Sequence, residues 1–330
     1  MILVTGGAGY IGSHTCIELI QQDHEIVIVD NLINSSHQAI SRIEAITGKS
    51  VVFVEGDVRD EAFLCKIFTK FKIENVIHFA GLKSVGESNN YPLKYYDNNI
   101  SGILTLLKVM GDHGCKNIVF SSSATVYGSP SILPVAETAP LTSLNPYGRS
   151  KLTIEKILKD LYKSDGLWNI AILRYFNPVG AHKSGLIGEY PNNAPNNLFP
   201  IISETAAGKR SFLEIYGNDY PTPDGTGIRD YIHVMDLARG HLSALNMFSK
   251  NGCIFAVNLG TGIGYSVLEI IKEFEAVIGR SISYKITKRR KGDAASCYAD
   301  VKYAKSLMGW SYEMTLTKMC EDQWRWQTNS

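Results

Sequence analysis

The chain lacks the features typical of membrane, secreted and nucleic-acid-binding proteins. No run approaches the roughly 18 uninterrupted apolar residues of a membrane span. The 33 lysines and arginines nearly balance the 32 aspartates and glutamates, so neither sign of charge dominates as it would in a nucleic-acid or polybasic membrane binder. The first apolar residues lead straight into a glycine turn, and we expect no secretory signal. We therefore predict a cytoplasmic protein without nucleic-acid or membrane partners.

The chain also lacks the spacings of a metal or disulfide protein. Its six cysteines are scattered with no Cys-x-x-Cys pair, and its eight histidines include no His-Glu-x-x-His. Such spacing is typical of reduced thiols rather than of a disulfide framework or a zinc site. We predict no metal.

Short apolar, β-branched runs recur through the first half and indicate a parallel sheet. Each is continuous rather than alternating, as in strands buried on both faces, and the segments between them are long enough for crossover helices. The predicted strands cover residues 2–4, 26–29, 51–54, 76–79, 118–121 and 170–174. The predicted fold class is α/β, with a Rossmann-type doubly wound sheet.

This regular succession of short apolar runs ends near residue 176, where Asn, Pro and Gly become frequent. We predict a first domain over residues 1–176 and a smaller mixed α/β domain over 177–330, packed tightly together. Helices are expected at 234–247 and 266–278, and the helix at 234–247 can belong to either domain.

A glycine turn with the spacing of a phosphate cradle follows the first strand. Gly6, Gly9 and Gly12 let the backbone turn tightly, approach a pyrophosphate and pack the next helix on the sheet. Asp30, at the end of the second strand, can accept hydrogen bonds from adenosine ribose hydroxyls and would repel a 2′-phosphate, which favours NAD over NADP. The alternative is a structural turn with an incidental aspartate.

A second pattern places a tyrosine and a lysine four residues apart at a helix start. Tyr147 and Lys151 follow the breaker Asn145-Pro146 and share one helix face. A lysine ammonium and a nicotinamide ring would lower the pKa of the phenol and make it a proton acceptor. Ser123, at the end of the fifth strand, could share the substrate proton. Alternatively, the spacing is chance and the serines cap the next segment.

These residues belong to longer strings by which the chain resembles the extended short-chain dehydrogenase/reductase superfamily, and within it the UDP-hexose 4-epimerases. The resemblance runs from about residue 2 to residue 326. The strings are VTGGAGYIGSHT, VIHFAGLKSVGES, YYDNN, FSSSATVYG, NPYGRSKL, LRYFNPVGAH, PNNLFP, GTGIRDYIHVMDLA and RRKGD.

The resemblance implies tightly held NAD, a UDP-sugar substrate bound by the second domain, and specific contacts for each. Catalysis is assigned to Tyr147, Lys151 and Ser123. The cofactor contacts are Gly6, Gly9, Tyr10, Ile11, Gly12, Asp30, Asn31, Asn34, Ser35, Asp57, Val58, Phe79, Ala80, Lys83, Asn98, Ser121, Tyr147, Lys151 and Phe176. The substrate contacts are Lys83, Ser123, Tyr147, Asn177, Asn197, Leu198, Tyr216, Arg229, Arg290, Asp293 and Cys297. Lys288, Arg289 and Lys291 are interpreted as a solvated loop.

The implied reaction is inversion at sugar C4 through a transient 4-keto intermediate. A 4,6-dehydratase would carry an Asp-Glu pair after the strand-end hydroxyl, where this chain has Ala124 and Thr125, and decarboxylating relatives also need a carboxylate at the second position. A redox-sensing binding protein would lack the Tyr147/Lys151 pair. All three alternatives are therefore disfavoured.

One residue departs from the epimerases specific for unsubstituted sugars. Cys297 stands where those enzymes have a bulky tyrosine beside the sugar C2 substituent. The resemblance implies that a small residue here admits a 2-acetamido group, so we predict interconversion of UDP-GlcNAc and UDP-GalNAc as well as UDP-Glc and UDP-Gal. The alternatives are that Cys297 is a small buried filler and that the enzyme acts on UDP-Glc and UDP-Gal only.

Two predicted helices have more apolar surface than one sheet can cover. The stripes comprise Ile100, Ile103, Leu104, Leu106, Leu107, Val109 and Met110 in one helix and Leu152, Ile157, Leu158 and Leu161 in the other. Such a surplus favours a partner helix. Relatives pair these helices, so a homodimer is expected.

Overall fold

A computed structural model describes residues 1–190, 197–290 and 293–329. Its strands are, in chain order, β1 Ile2–Thr5, β2 Ile26–Asp30, β3 Val52–Glu55, β4 Asn75–His78, β5 Asn117–Ser123, β6 Asn169–Tyr175, β7 Asn177–Val179, β8 Leu213–Tyr216, β9 Ile228–His233, β10 Cys253–Leu259, β11 Gly264–Ser266, β12 Tyr284–Thr287 and β13 Ser296–Cys297.

The α-helices cover most of the segments between these strands. They are α1 Tyr10–Gln21, α2 His37–Thr47, α3 Glu61–Lys70, α4 Val85–Asn90, α5 Pro92–Tyr96, α6 Gly102–Asp112, α7 Pro146–Ser164, α8 Leu198–Ala206, α9 Val234–Leu245, α10 Val267–Ile278, α11 Lys302–Met308 and α12 Leu316–Asn329. A π-helical turn, Asp97–Ser101, joins α5 to α6, and a 3₁₀ turn, Ala124–Tyr127, follows β5.

Seven parallel strands form the large sheet in the order β10-β6-β5-β4-β1-β2-β3. All six predicted strands are present, each within two residues of its expected ends. Their apolar runs are continuous because both faces are covered. In β1, for example, Ile2 and Val4 pack with α1 on one face, while Leu3 packs with α3 and α6 on the other. The order 3-2-1-4-5-6 within this sheet is that of a doubly wound Rossmann-type fold, as predicted.

Two segments from the second half of the chain lie on this large sheet. Strand β10 pairs in parallel with β6 along its whole length, from Cys253 opposite Asn169 to Leu259 opposite Tyr175. Helix α9, predicted at 234–247, packs on α1. The division at residue 176 stays a prediction, but the chain returns to the first sheet well beyond it.

The remaining elements form a smaller layered unit beyond β6. Strands β7, β11 and β13 pair with β9, and β12 pairs with β8. Helices α8, α10 and α12 enclose an apolar cluster with these strands. Helix α10 begins where it was predicted, because Ser266 and Glu269 form a reciprocal capping box at its N-terminus.

The two apolar stripes differ in how much surface they leave open. In α6, Ile103, Leu106, Val109 and Met110 are buried within the chain, and Leu104, at 47% exposure, is the large apolar side chain that remains exposed. In α7, Leu158 is buried while Ile157 and Leu161 are partly covered. The surplus expected from the sequence is therefore smaller in the folded chain. Within the described ranges, no helix is long and apolar enough to cross a membrane.

Candidate active site

The glycine turn after β1 is sterically restricted to glycine at two positions. Gly6 has a φ of +71°, and a Cβ atom there would lie 2.6 Å from the backbone nitrogen of Ala80. A Cβ atom on Gly12 would lie 2.3 Å from the carbonyl oxygen of Gly6. These contacts are shorter than any real Cβ contact, so the turn requires glycine to bring β1, β4 and α1 together.

The start of α1 fits an anionic group. Gly9 is the N-cap residue, and no side chain in the described part of the chain caps this end. The free amide groups and the helix dipole favour a negatively charged ligand. Tyr10 donates a hydrogen bond to the carbonyl oxygen of Gly180 (2.6 Å), and Ile11 packs against the core. The turn therefore fits the pyrophosphate of a dinucleotide.

Asp30 lies at the end of β2, beside this turn, and is buried. Its carboxylate accepts hydrogen bonds from the amides of Ala8 (3.1 Å) and Leu32 (2.9 Å) and from the hydroxyl of Ser35 (2.8 Å). Burial raises the pKa of Asp30, and these bonds offset part of the effect. One oxygen accepts only a single bond among them, which leaves capacity for a ribose hydroxyl. Asn34, on the same loop, is exposed.

Asn31 and Asp57 form the far side of the expected adenosine region. The amide of Asn31 donates to the Asp57 carboxylate at 3.0 Å, and Arg59 pairs with the same carboxylate at 2.8 Å. The hydrogen bond from Arg59 lowers the pKa of Asp57 to about 2. Val58, the next residue, is buried.

Tyr147 and Lys151 lie one turn apart near the start of α7. The helix begins where predicted, because the side chain of Asn145 accepts a hydrogen bond from the amide of Gly148 (2.9 Å) and Pro146 occupies the first turn. The ammonium group of Lys151 donates to the carbonyl oxygen of Ser121 at 2.7 Å. Burial lowers the pKa of Lys151 to about 8.

Ser123, Tyr147 and Lys151 therefore meet at the carboxyl end of β5, as predicted. The hydroxyl of Ser123 lies close enough to the phenol of Tyr147 to lower the pKa of that phenol. It also accepts bonds from the amide (3.2 Å) and the hydroxyl (3.0 Å) of Thr125. Ser123 thus caps the following 3₁₀ turn and also contacts the tyrosine, so the capping alternative and the catalytic interpretation are geometrically compatible.

In the chain by itself, the pKa of Tyr147 lies above its ordinary value. Burial raises it, and the hydrogen bond with Ser123 offsets only part of that increase. The expectation that Lys151 and a bound nicotinamide ring together lower this pKa stays a prediction. In the predicted chemistry, the other source of positive charge is the nicotinamide ring.

The expected nicotinamide side of the site is aromatic and partly buried. Phe176 is buried and its amide donates to the carbonyl oxygen of Leu259 (3.0 Å), so β10 supports it. The Phe79 ring lies 4.7 Å from that of His241. Asn98 is in the π-helical turn.

Asn99, which the sequence analysis did not single out, makes more contacts than Asn98. Its side chain exchanges hydrogen bonds with both backbone groups of Leu82 (2.8 and 3.1 Å) and donates to Ser150 (3.1 Å). It thereby connects the segment after β4 to α7. The two adjacent asparagines gave no pattern that ranks one above the other.

Two other predicted residues meet at a carboxylate that was also missed. Glu189, 8% exposed, accepts hydrogen bonds from the ammonium group of Lys83 (2.7 Å) and the amide of Asn197 (3.1 Å). Lys83 belongs to the first half and Asn197 to the second, so Glu189 joins both sides of the site. Glu189 forms no spacing pattern with other acidic residues, so the sequence did not identify it as a site residue.

The predicted diphosphate and uridine contacts form a second group. Arg290 stacks on the ring of Tyr216 at 3.8 Å, and Arg229 lies 3.7 Å from the carboxylate of Asp293. The amide of Asp293 donates to the carbonyl oxygen of Arg290 at 3.4 Å, which links the two pairs. The structure thus brings Arg290 and Asp293 together with Tyr216 and Arg229, which lie more than 60 residues earlier in the sequence.

The other predicted substrate residues border this group. Cys297, partly buried in β13, is paired in register with Arg229 and packs against the apolar cluster that contains Phe176. Burial raises the pKa of the Cys297 thiol to about 11, so it stays protonated near neutral pH. Asn177 is exposed at the start of β7, and Leu198 is partly buried.

Lys288 and Arg289 of the basic run are exposed and lie outside the helices and strands. Arg289 pairs with Asp219 at 2.6 Å and stacks on Tyr220 at 4.1 Å. The interpretation of Lys291 lies outside the described residues.

Comparison with known proteins identifies the family. A family model described as GDP-mannose 4,6 dehydratase matches residues 3–323. The UDP-glucose 4-epimerase of Bacillus subtilis is 54% identical, with 100% of this chain and 97% of the relative covered. That of Dictyostelium discoideum is 57% identical, with 99% and 95% covered.

A solved structure agrees with these relatives. The UDP-glucose 4-epimerase from Bifidobacterium longum, crystallised in complex with NAD⁺ and UDP, superposes with a TM-score of 0.96 at 52% identity, covering 99% of this chain and 98% of that one. The chain belongs to the UDP-glucose 4-epimerases of the NAD-dependent epimerase/dehydratase family.

Proposed function

We propose that the protein is a UDP-hexose 4-epimerase that retains its NAD and inverts C4 through a transient 4-keto sugar. The observation that carries this proposal is the meeting of Ser123, Tyr147 and Lys151 at the end of β5, on the same edge of the sheet as the glycine turn and separated from β1 by β4. Family membership supports the same conclusion. The carboxyl ends of parallel strands are where ligands bind in such sheets.

The cofactor would be held along the edge formed by β1, β2 and β4. The turn from Gly6 to Gly12 suits the pyrophosphate, and the Asp30 carboxylate suits the adenosine ribose, where it would disfavour a 2′-phosphate. When bound, NAD supplies the redox chemistry, namely acceptance of a hydride from sugar C4 and its return to the opposite face.

The chain's own residues move and hold the proton. Tyr147 would accept the proton of the sugar 4-hydroxyl, and Ser123, which lies beside its phenol, would share that proton. Lys151 would contribute positive charge beside the phenol. Because its ammonium group is bonded to the carbonyl oxygen of Ser121, this charge is fixed to the strand that carries Ser123.

The substrate would be held mainly through its nucleotide. Arg229 and Arg290 can bind a diphosphate with their planar guanidinium groups. Tyr216 and Asp293 lie beside these arginines and would contact the uridine. Anchoring through the UDP would leave the flat keto sugar free to turn over between the two hydride transfers.

A dehydratase or decarboxylase remains the less favoured reaction. Ala124 and Thr125 occupy the first positions of the 3₁₀ turn after Ser123, and the hydroxyl of Thr125 is already bonded to Ser123. Neither side chain can act as an acid or base near neutral pH. The match to a family model named for a dehydratase therefore reflects the fold of the chain. It does not extend to the acid and base that dehydration would need at these two positions.

We further propose that the enzyme accepts UDP-GlcNAc and UDP-GalNAc. The small Cys297 side chain packs against the same apolar cluster as Ala124, and this cluster contains Phe176. A tyrosine there would fill space that a 2-acetamido group needs. The alternative, an enzyme for UDP-Glc and UDP-Gal alone, would leave Cys297 as a packing residue.

We also propose a homodimer built on α6 and α7. The exposed Leu104 and the partly covered Ile157 and Leu161 support it.

The decisive experiment is incubation of the purified protein, without added cofactor, with each of the four UDP-sugars. We expect interconversion of UDP-Glc with UDP-Gal and of UDP-GlcNAc with UDP-GalNAc, together with release of NAD on denaturation. Formation of a 4-keto-6-deoxy product would instead indicate a dehydratase. Absence of bound dinucleotide together with no epimerisation after addition of NAD⁺ would overturn the proposal.

A further inference from the structure

A fully buried ion pair joins the helix that carries Tyr147 and Lys151 to the large sheet. Glu155 and Arg174 have side-chain exposures of 0% and 2%. The guanidinium group of Arg174 donates two hydrogen bonds to the two carboxylate oxygens of Glu155, at 3.0 and 2.7 Å. Glu155 is in α7, and Arg174 is in β6, so the pair attaches the helix to the sheet.

The same carboxylate also reaches the catalytic strand. The hydroxyl of Ser122 donates to Glu155 at 2.6 Å. In β5, Ser122 stands between Ser121, whose carbonyl oxygen binds Lys151, and Ser123, which lies beside Tyr147. Three successive residues of one strand therefore contact three residues of α7.

The spacing along α7 places these contacts on one side of the helix. Tyr147, Lys151 and Glu155 are each four residues apart, which keeps them in a nearly straight row. The other buried contacts of α7 with the sheet include Ile154 and Leu158, and apolar contacts tolerate small shifts. The bonds from Ser122 and Arg174 are directional, so they fix the rotation and height of the helix.

Stability alone is a poor explanation for this arrangement. Replacing a buried ion pair by well-packed apolar residues is often neutral or stabilising, because burial of two charges costs much of what their attraction contributes. A defined geometry is the property that such a pair provides and that apolar packing does not.

We infer that Ser122, Glu155 and Arg174 are positioning residues, which hold α7 against β5 so that Tyr147 and Lys151 meet Ser123 and Ser121. This inference rests on the proposed function, because it concerns the geometry of the same base. A misplacement of about 1 Å can cost about a hundredfold in rate.

The experiment compares Ser122→Ala and Glu155→Gln with Ser88→Ala. Ser88 is also fully buried, but its hydroxyl bonds the carbonyl oxygen of Val85 (2.7 Å) within its own helix, α4, rather than a group of α7 or β5. For each protein, kcat and KM for UDP-glucose are measured across pH, together with the thermal midpoint and the content of bound NAD. Ser122→Ala removes one hydroxyl and keeps the ion pair, so it remains informative if Glu155→Gln does not fold.

We expect Ser122→Ala to lower kcat between about tenfold and a hundredfold with KM and NAD content unchanged. The acid limb of its kcat profile should move to higher pH, because a displaced Lys151 favours the phenolate less. Ser88→Ala should keep the wild-type kcat and profile.

The inference is overturned if Ser122→Ala keeps the wild-type kcat, or if kcat falls with an unmoved acid limb. If the wild-type enzyme is active, either result would overturn only this inference and would leave the proposed function intact. Lack of epimerisation by the wild-type protein would overturn both.

Discussion

The ammonium group of Lys151 lies 2.7 Å from the carbonyl oxygen of Ser121, so the lysine is bound to the strand that carries Ser123. Helix α7 carries the proposed base and its cation, and β5 carries their partners. The proposed chemistry therefore depends on one helix–strand contact.

Because Lys151 is buried, we expect it to make the free energy of unfolding increase with pH in the alkaline range. Burial lowers the pKa of Lys151 to about 8, from 10.5 for the free group. Between these values the unfolded chain binds the proton while the folded chain does not, so the free energy of unfolding gains from this site as pH rises, by at most about 1.4 kcal/mol per pH unit. Below pH 8 both states are protonated, and the gain is absent.

Lys151→Met should remove this component. Denaturant unfolding of the two proteins at pH 8 and pH 10 tests it, since the other titrating groups are common to both. If the free energy of unfolding changed by the same amount from pH 8 to pH 10 in both proteins, the prediction would be contradicted.

Loss of the phenolic hydroxyl should stop proton transfer without unfolding the protein. We expect Tyr147→Phe to lower kcat for UDP-glucose by about 10²- to 10⁴-fold, with unchanged NAD content and thermal midpoint. Tyr162→Phe, on the same helix, is the matched control and should keep full activity. Retention of wild-type kcat by Tyr147→Phe would show that another group is the base.

A single methyl group in the glycine turn should prevent NAD binding. In Gly12→Ala the new Cβ would collide with the carbonyl oxygen of Gly6, and overpacking of this kind costs about 1–3 kcal/mol. Gly86→Ala is the control, because a Cβ there has nothing within 4 Å. Absorbance of the dinucleotide released on denaturation measures the outcome. Equal NAD content in the two variants would refute the steric argument.

The side chain at position 297 should select between the sugar pairs. Cys297→Tyr should lose interconversion of UDP-GlcNAc and UDP-GalNAc while keeping that of UDP-Glc and UDP-Gal, whereas Cys297→Ala should keep both. Product analysis with the four substrates measures this. Survival of the N-acetylated reaction at full rate in Cys297→Tyr would make the residue a packing residue only.

The proposed homodimer is tested by light scattering at micromolar concentration. We expect a dimer for the wild-type protein and a shift towards monomer for Leu104→Glu, since a charge on an apolar interface is costly. A wild-type monomer would contradict the proposal.

The first six strands of the large sheet could be predicted because burial on both faces leaves a continuous apolar run at each. Strand β10 has a comparable run, CIFAVNL, but it follows an irregular region. Only its pairing with β6 places it in this sheet, and pairing between distant segments has no local signature. The sequence therefore indicates that the regular succession of apolar runs ends near residue 176. It does not indicate that the chain later rejoins the first sheet.

The same distinction applies to the site. The glycine turn and the Tyr147/Lys151 pair are local patterns, in which spacing determines which side chains are neighbours. Glu189 and the pair of Glu155 with Arg174 act through partners from other elements. Their roles depend on tertiary contacts, and no spacing within the chain encodes these.

The edge position of β10 has a consequence for biosynthesis. A ribosome must release the chain beyond Leu259 before the seventh strand can join the sheet, and Phe176 then gains the backbone partner that holds it. Until then β6 presents an open edge that can pair with other nascent chains. Completion of the proposed nucleotide pocket is thus delayed until the chain beyond Leu259 has been synthesised, and a product that ends before this strand would be aggregation-prone rather than partly functional.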